Sequence, residues 1–219
     1  MVRASLKNIK LLEIIDEATS QTYFGGWQEW YGAWWKRMSG CGPTVASTIL
    51  SYMKRSGCGD NDGCPVPRSE FCAFMDDVWQ FVTPGVMGIP STEALMKGAA
   101  SYIRERRLDI RLEELDIPKN KLQRPGFQKL LDYLAWALNN DSPVAFLSLD
   151  KGQEDALDSW HWVTLLTLEY EPDGSAAVIG VADEGKYFTA DLKKWYDTTS
   201  MGGGFVRFVP NTLREYPEN

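Results

Sequence analysis

The chain is short of histidine, cysteine, clustered basic charge and long apolar runs, and each shortage removes a class of function. One histidine, His161, cannot build a multi-histidine metal centre. Four cysteines, Cys41, Cys58, Cys64 and Cys72, make a poor disulfide framework, because assigning Cys41 to chemistry leaves an odd number. Zinc fits the remaining three no better, since their spacings contain no Cys-x2-Cys knuckle. Reduced thiols in a soluble, cytoplasmic protein are the expectation. No run approaches the roughly 20 apolar residues of a spanning helix, and Glu13, Asp16 and Glu17 interrupt the start of the chain, so neither membrane insertion nor a signal peptide is expected. The basic residues form no stripe longer than Arg104 to Arg107, and 30 acidic against 23 basic residues leave a net charge of -7, which disfavours a nucleic-acid partner.

What is present suits a folded enzyme or binding protein. A hydrophobic share of 44% and an aromatic share of 12% over 219 residues fill a core. The pattern predicts one domain over residues 1–219, with a mainly helical subregion over 1–140 and a mainly β subregion over 141–210. Trp27, Trp30, Tyr31 and Trp34 recur at the spacing of one helical face, which predicts a short amphipathic helix within Gly25 to Arg37. Gly40 then breaks the chain, and Gly42-Pro43 opens a helix that runs to about Arg55, because proline is tolerated in a first turn. Further helices are expected at Ser69 to Val82, Ser91 to Arg106, Phe127 to Leu138 and Asp191 to Tyr196. Strands are expected around Leu108 to Leu112 and at Val144 to Leu149, His161 to Tyr170, Ala176 to Ala182 and Gly204 to Phe208. Helices first and strands later argue for an α+β architecture with a mostly antiparallel sheet.

Two residues far apart in the chain carry complementary chemistry. Cys41 opens a helix, where unpaired backbone N–H groups and the positive end of the macrodipole favour a thiolate. The flanking Gly40 and Gly42 let a substrate carbonyl approach the sulfur, and the Cys41 N–H is placed to hold an oxyanion. His161 stands between Trp160 and Trp162 in a segment that reads as a buried strand, with both indoles expected in the core. Histidine takes and returns a proton near neutral pH, which is what a cysteine nucleophile requires. A third group should hold the imidazole tautomer. Asp183, at the end of the strand that follows His161, is the leading candidate, with Asp158 as rival and an ordinary turn aspartate as the alternative reading.

Ser-Gly-Cys-Gly-Pro-Thr-x-Ala at Ser39 to Ala46, His-Trp-Val-Thr at 161 to 164 and a polar strand end at Asp183 together resemble the papain-like cysteine peptidases. The motifs are most similar to the bacterial branch related to bacteriocin-processing peptidases. The resemblance implies a papain-like fold, with the nucleophile helix of a helical N-terminal lobe packed on an antiparallel sheet. It implies hydrolysis of a peptide or amide bond through a thioester, with Cys41 as nucleophile, His161 as general base and then acid, and Asp183 as orienter. The substrate would be a peptide or protein, and no cofactor or metal is required. Family members usually place an oxyanion-hole glutamine about six residues before the cysteine, where this chain has Trp35. Gln28 is the glutamine available nearby, as a donor if Trp34 to Gly40 loops out, or as a plain polar residue. Trp34, Trp35, Gly40 and Trp160 are candidate substrate contacts. The alternative to an enzyme is a catalytically silent binding protein that uses a tryptophan-rich cleft for a peptide or cell-wall ligand.

Two other motifs read as ordinary turns. Asp60-Asn61-Asp62-Gly63 lacks the further oxygens and terminal glutamate of a calcium loop. Met201-Gly202-Gly203-Gly204 lacks the strand-to-helix context and lysine of a phosphate cradle, and is expected to be a flexible hairpin loop.

Overall fold

A computed structural model describes residues 1–57 and 63–213. Cys58 and the acidic run at 60–62 lie outside the described residues. The elements in chain order are β1 (Val2–Ser5), β2 (Glu13–Ile15), β3 (Thr22–Phe24), α1 (Trp34–Ser39), α2 (Cys41–Gly57), β4 (Val66–Pro67), α3 (Arg68–Trp79) and α4 (Thr92–Glu105). They continue with β5 (Ile110–Ile117), α5 (Phe127–Asn139), β6 (Val144–Ser148), β7 (His161–Tyr170), β8 (Ala177–Asp183), β9 (Lys186–Asp191), α6 (Leu192–Thr198) and β10 (Gly203–Pro210). Among the described residues, no helix is long and apolar enough to cross a membrane.

The main sheet has seven antiparallel strands, ordered β5-β10-β6-β7-β8-β9, with β1 on the same edge of β7 as β6. The first half of β7 pairs with β6, from Ser148 opposite His161 to Val144 opposite Leu165, and its second half pairs with β1, from Ser5 opposite Thr167 to Val2 opposite Tyr170. β7 is almost wholly buried, as a run of apolar residues without alternation requires of a strand covered on both faces. Helix α2 packs on it, and its residues from Gly42 to Leu50 are all buried. One cluster of buried side chains runs from Ala4 to Phe208 and includes both the helices and the strands.

Local chemistry accounts for the helix starts. Ser91 caps α4 by accepting the Ala94 N–H at 3.2 Å, and Asp191 caps α6 by accepting the Lys194 N–H at 2.9 Å. Between α1 and α2 stands only Gly40, whose missing side chain is a steric necessity: a Cβ there would lie 2.6 Å from the Lys36 carbonyl oxygen and 2.9 Å from the Tyr31 ring. Gly40 also supplies the carbonyl that accepts the first helical bond of α2, from the Thr44 N–H at 3.0 Å.

The structure corrects several expectations. Gly25 to Arg37 is not one helix. It forms a 3-10 turn at Gln28–Trp30, an extended link, and then α1, because its aromatic rings pack on different partners: Trp30 edge-on to Tyr23 and Phe71, Tyr31 edge-on to Trp79. Trp160 is not a core residue in a strand. It sits in a turn with a φ of 58° and is 47% exposed, because β7 begins one residue later, whereas Trp162 is 1% exposed as expected. Met201 to Gly204 is not a flexible loop, since Gly203 and Gly204 open β10. A Cβ on Gly202 would lie 1.9 Å from the Ile117 carbonyl oxygen, and one on Gly203 would lie 1.9 Å from that of Leu147. Helices and strands are also less segregated than expected, because β1 and β5 join the later strands in one sheet, and β2 to β4 form a small sheet of their own.

Candidate active site

Sheet register brings the distant residues together. β7 and β8 run antiparallel with Thr164 opposite Ala182, so His161 at the start of β7 and Asp183 at the end of β8 lie at the same end of the sheet. The His161 Nε2 stands 2.9 and 3.0 Å from the two carboxylate oxygens of Asp183. Asp158, the rival, is exposed in the connection before β7. Helix α2 presents its first residue, half-buried Cys41, to the same ring.

Burial alone would push the His161 ring below its ordinary value, because it penalises the charged form. The Asp183 hydrogen bond and the interaction with Cys41 override it, and the pKa is pushed up to about 10. Asp183 thus engages one ring nitrogen in a protonated imidazole, leaving the other for proton exchange with sulfur. Among the described residues, Cys41 and Cys72 carry free thiols, and no three histidine, cysteine, aspartate or glutamate side chains gather to hold a metal. Burial raises the Cys72 thiol above its ordinary value.

Gln28 lies beside this pair. It shares with Cys41, Asp183 and Glu184 a cavity of about 10 Å³, the space of a single water molecule, floored by Thr44 and Thr48 of α2. The segment from Trp34 to Gly40 does not loop out: Trp34–Ser39 forms α1, and Gly40 joins it directly to α2. Gln28 is positioned from behind: the buried Gly26 N–H donates to Thr48 Oγ1 at 3.1 Å, and that hydroxyl donates to the Thr44 carbonyl at 2.9 Å. A Cβ on Gly26 would lie 2.7 Å from the Phe71 ring, so the strand of chain leading to Gln28 is wedged between α2 and α3.

Of the candidate substrate contacts, Trp34 and Trp35 are 69% and 53% exposed on α1, with Trp35 also edge-on to Trp79 at 5.5 Å, and Trp160 is exposed immediately before His161. Gly40 is buried against Tyr31. The absent side chain of Gly42 makes room for the core rather than for substrate, since a Cβ there would lie 2.8 Å from Ile89. The Trp162 indole N–H donates to the Ile89 carbonyl at 2.8 Å, tying the chain under Gly42 to β7. Sequence reasoning missed Thr48, Ile89 and Glu184. Only Glu184 had a signal, its place next to Asp183.

No protein-family model matches the chain, and no curated protein matches it in sequence. Among solved structures it is similar to UfSP from C. elegans, with a TM-score of 0.55 and 13% identity. The likeness covers 95% of this chain and 34% of that one, so the chain spans about a third of the length of its structural relative. At this identity the likeness speaks for the fold, a mixed helix-and-sheet arrangement of the papain-like kind.

Proposed function

We propose that the chain is a cysteine hydrolase that cleaves a peptide or amide bond through a thioester on Cys41. The observation that carries this reading is the His161 ring, held by Asp183 through one nitrogen and facing the helix-start Cys41. The fold likeness to UfSP supports it, and the motif likeness to the bacteriocin-processing branch favours a peptide substrate. His161 holds the thiol proton, and the thiolate attacks the carbonyl carbon, forming the C–S bond. The Cys41 N–H and Gln28 amide receive the oxyanion. His161 then gives its proton to the leaving amine as the C–N bond breaks. Water, deprotonated by His161, attacks the thioester, the C–S bond breaks, and the acid departs as sulfur regains its place beside the imidazolium. Transfer to an amine instead of water would share the first half of this course.

The test is a set of peptide amides and activated peptide esters, read by product release and by intact mass after acid quenching. Turnover, with an acyl adduct mapping to Cys41 and absent from Cys41→Ala, supports the proposal. Binding of these peptides with no adduct and no product would overturn it in favour of a silent binding protein.

A further inference from the structure

The chemistry proposed above leaves one acidic residue of the shared cavity, Glu184, without a task. Glu184 follows Asp183 in the two-residue turn between β8 and β9, where Glu184 has a φ of 48° and Gly185 a φ of 72°. Positive φ at both positions of such a turn favours Asn or Asp followed by glycine, so glutamate is a departure from local preference. The turn is not free to relax. The Phe24 N–H donates to the Gly185 carbonyl at 2.7 Å, and a Cβ on Gly185 would lie 2.7 Å from the Tyr23 ring.

Glu184 lines the same cavity as Cys41 and Gln28. Among the described residues its carboxylate has no hydrogen bond or ion pair, and Lys186, two residues on, makes none with it. The neighbouring acids are otherwise engaged: Asp183 by His161, and Glu29, next to Gln28, by Arg37 at 3.8 Å. An uncompensated negative charge therefore stands on a docked turn at the lip of the site, in a chain that already carries a net charge of -7.

Building on the reading of the site as a cysteine hydrolase, we infer that Glu184 is a specificity-determining residue that selects substrates with a cationic group, a lysine or arginine side chain or a free ammonium, next to the scissile bond. An exposed ion pair of this kind favours the cation by up to about fivefold, and it repels an acid at the same place. Its reach is about 8 Å at physiological salt and about 3 Å at 1 M, so the preference is salt-sensitive.

The test uses three peptide probes with the same activated carbonyl and either Lys, Gln or Glu at the adjacent position, comparing second-order rates of Cys41 acylation by intact mass. The expected Lys-over-Gln ratio is about fivefold at low salt. It should approach one in 1 M NaCl and in Glu184→Gln, and fall below one in Glu184→Lys. Glu184→Gly, which suits the positive φ, should match Glu184→Gln and so separates loss of charge from damage to the turn. A wild-type ratio of one or less, or a ratio that survives in Glu184→Gln or Glu184→Gly, overturns the inference while leaving the hydrolase reading intact. Failure of all three probes to acylate Cys41 overturns both.

Discussion

Asp183→Asn keeps the size of the side chain and removes its charge, which isolates what the carboxylate does to His161. In the folded protein the ring is pushed up to about 10 from an ordinary 6.5, against the opposing effect of burial. A carboxylate in direct contact favours the charged form of its neighbour by about 1–3 pH units. The variant ring should therefore titrate at roughly 7–9, with Cys41 supplying the rest of the upward shift. His161 is the only histidine in the chain, so a single imidazole Cε1–H resonance followed by NMR reports the site without assignment work. A raised folded-state pKa stabilises the protein fully below the unfolded value near 6.5, and that contribution fades as pH rises through about 10. Urea unfolding between pH 7 and 10 should accordingly show a decline in wild type that is shallower in Asp183→Asn. A wild-type ring titrating near 6.5, or a variant titrating with the wild type, would refute the assignment of Asp183 as the partner that keeps His161 charged.

Gln28→Ala should lower kcat by about 100- to 1,000-fold, the usual cost of an oxyanion donor, while iodoacetamide still modifies Cys41 at close to the wild-type rate. Thr48→Val strands the buried Gly26 N–H and should cost about 1–3 kcal/mol in chemical unfolding, with a fall in kcat as Gln28 loosens. Gly203→Ala drives a Cβ into the Leu147 carbonyl, so thermal unfolding should show a loss of about 3 kcal/mol or more, or no folded protein at all.

Most of the helices and the later strands were legible because their periodicity is undisturbed. The apolar run of β7 and the heavily buried α2 are set by residues that have no other place to go. The pairing of His161 with Asp183 was legible because consecutive antiparallel strands bring the start of one to the end of the next. The aromatic run before Cys41 misled, since helical spacing counts apolar residues but does not say that Tyr31 and Trp30 seek different neighbours. Trp160 misled for a related reason: an aromatic residue beside a strand reads as strand until a positive φ turns it outward. β9 went unread because Lys186 to Asp191 lies mostly exposed at the sheet edge, with Lys186, Thr189 and Asp191 interrupting its apolar residues. The proximity of Gln28 to Cys41 depends on the Gly26–Thr48 hydrogen bond, a contact between separate segments that local pattern does not encode.

Site-resolved alkylation by iodoacetamide across pH 5 to 9 tests most directly whether Cys41 and His161 act as one unit. Cys41 is expected to react fastest of the thiols near neutral pH, ahead of exposed Cys64 and of Cys72 with its raised pKa, and His161→Ala should abolish that lead. Equal rates at Cys41 and Cys64, or a lead for Cys41 that persists in His161→Ala, would contradict the account.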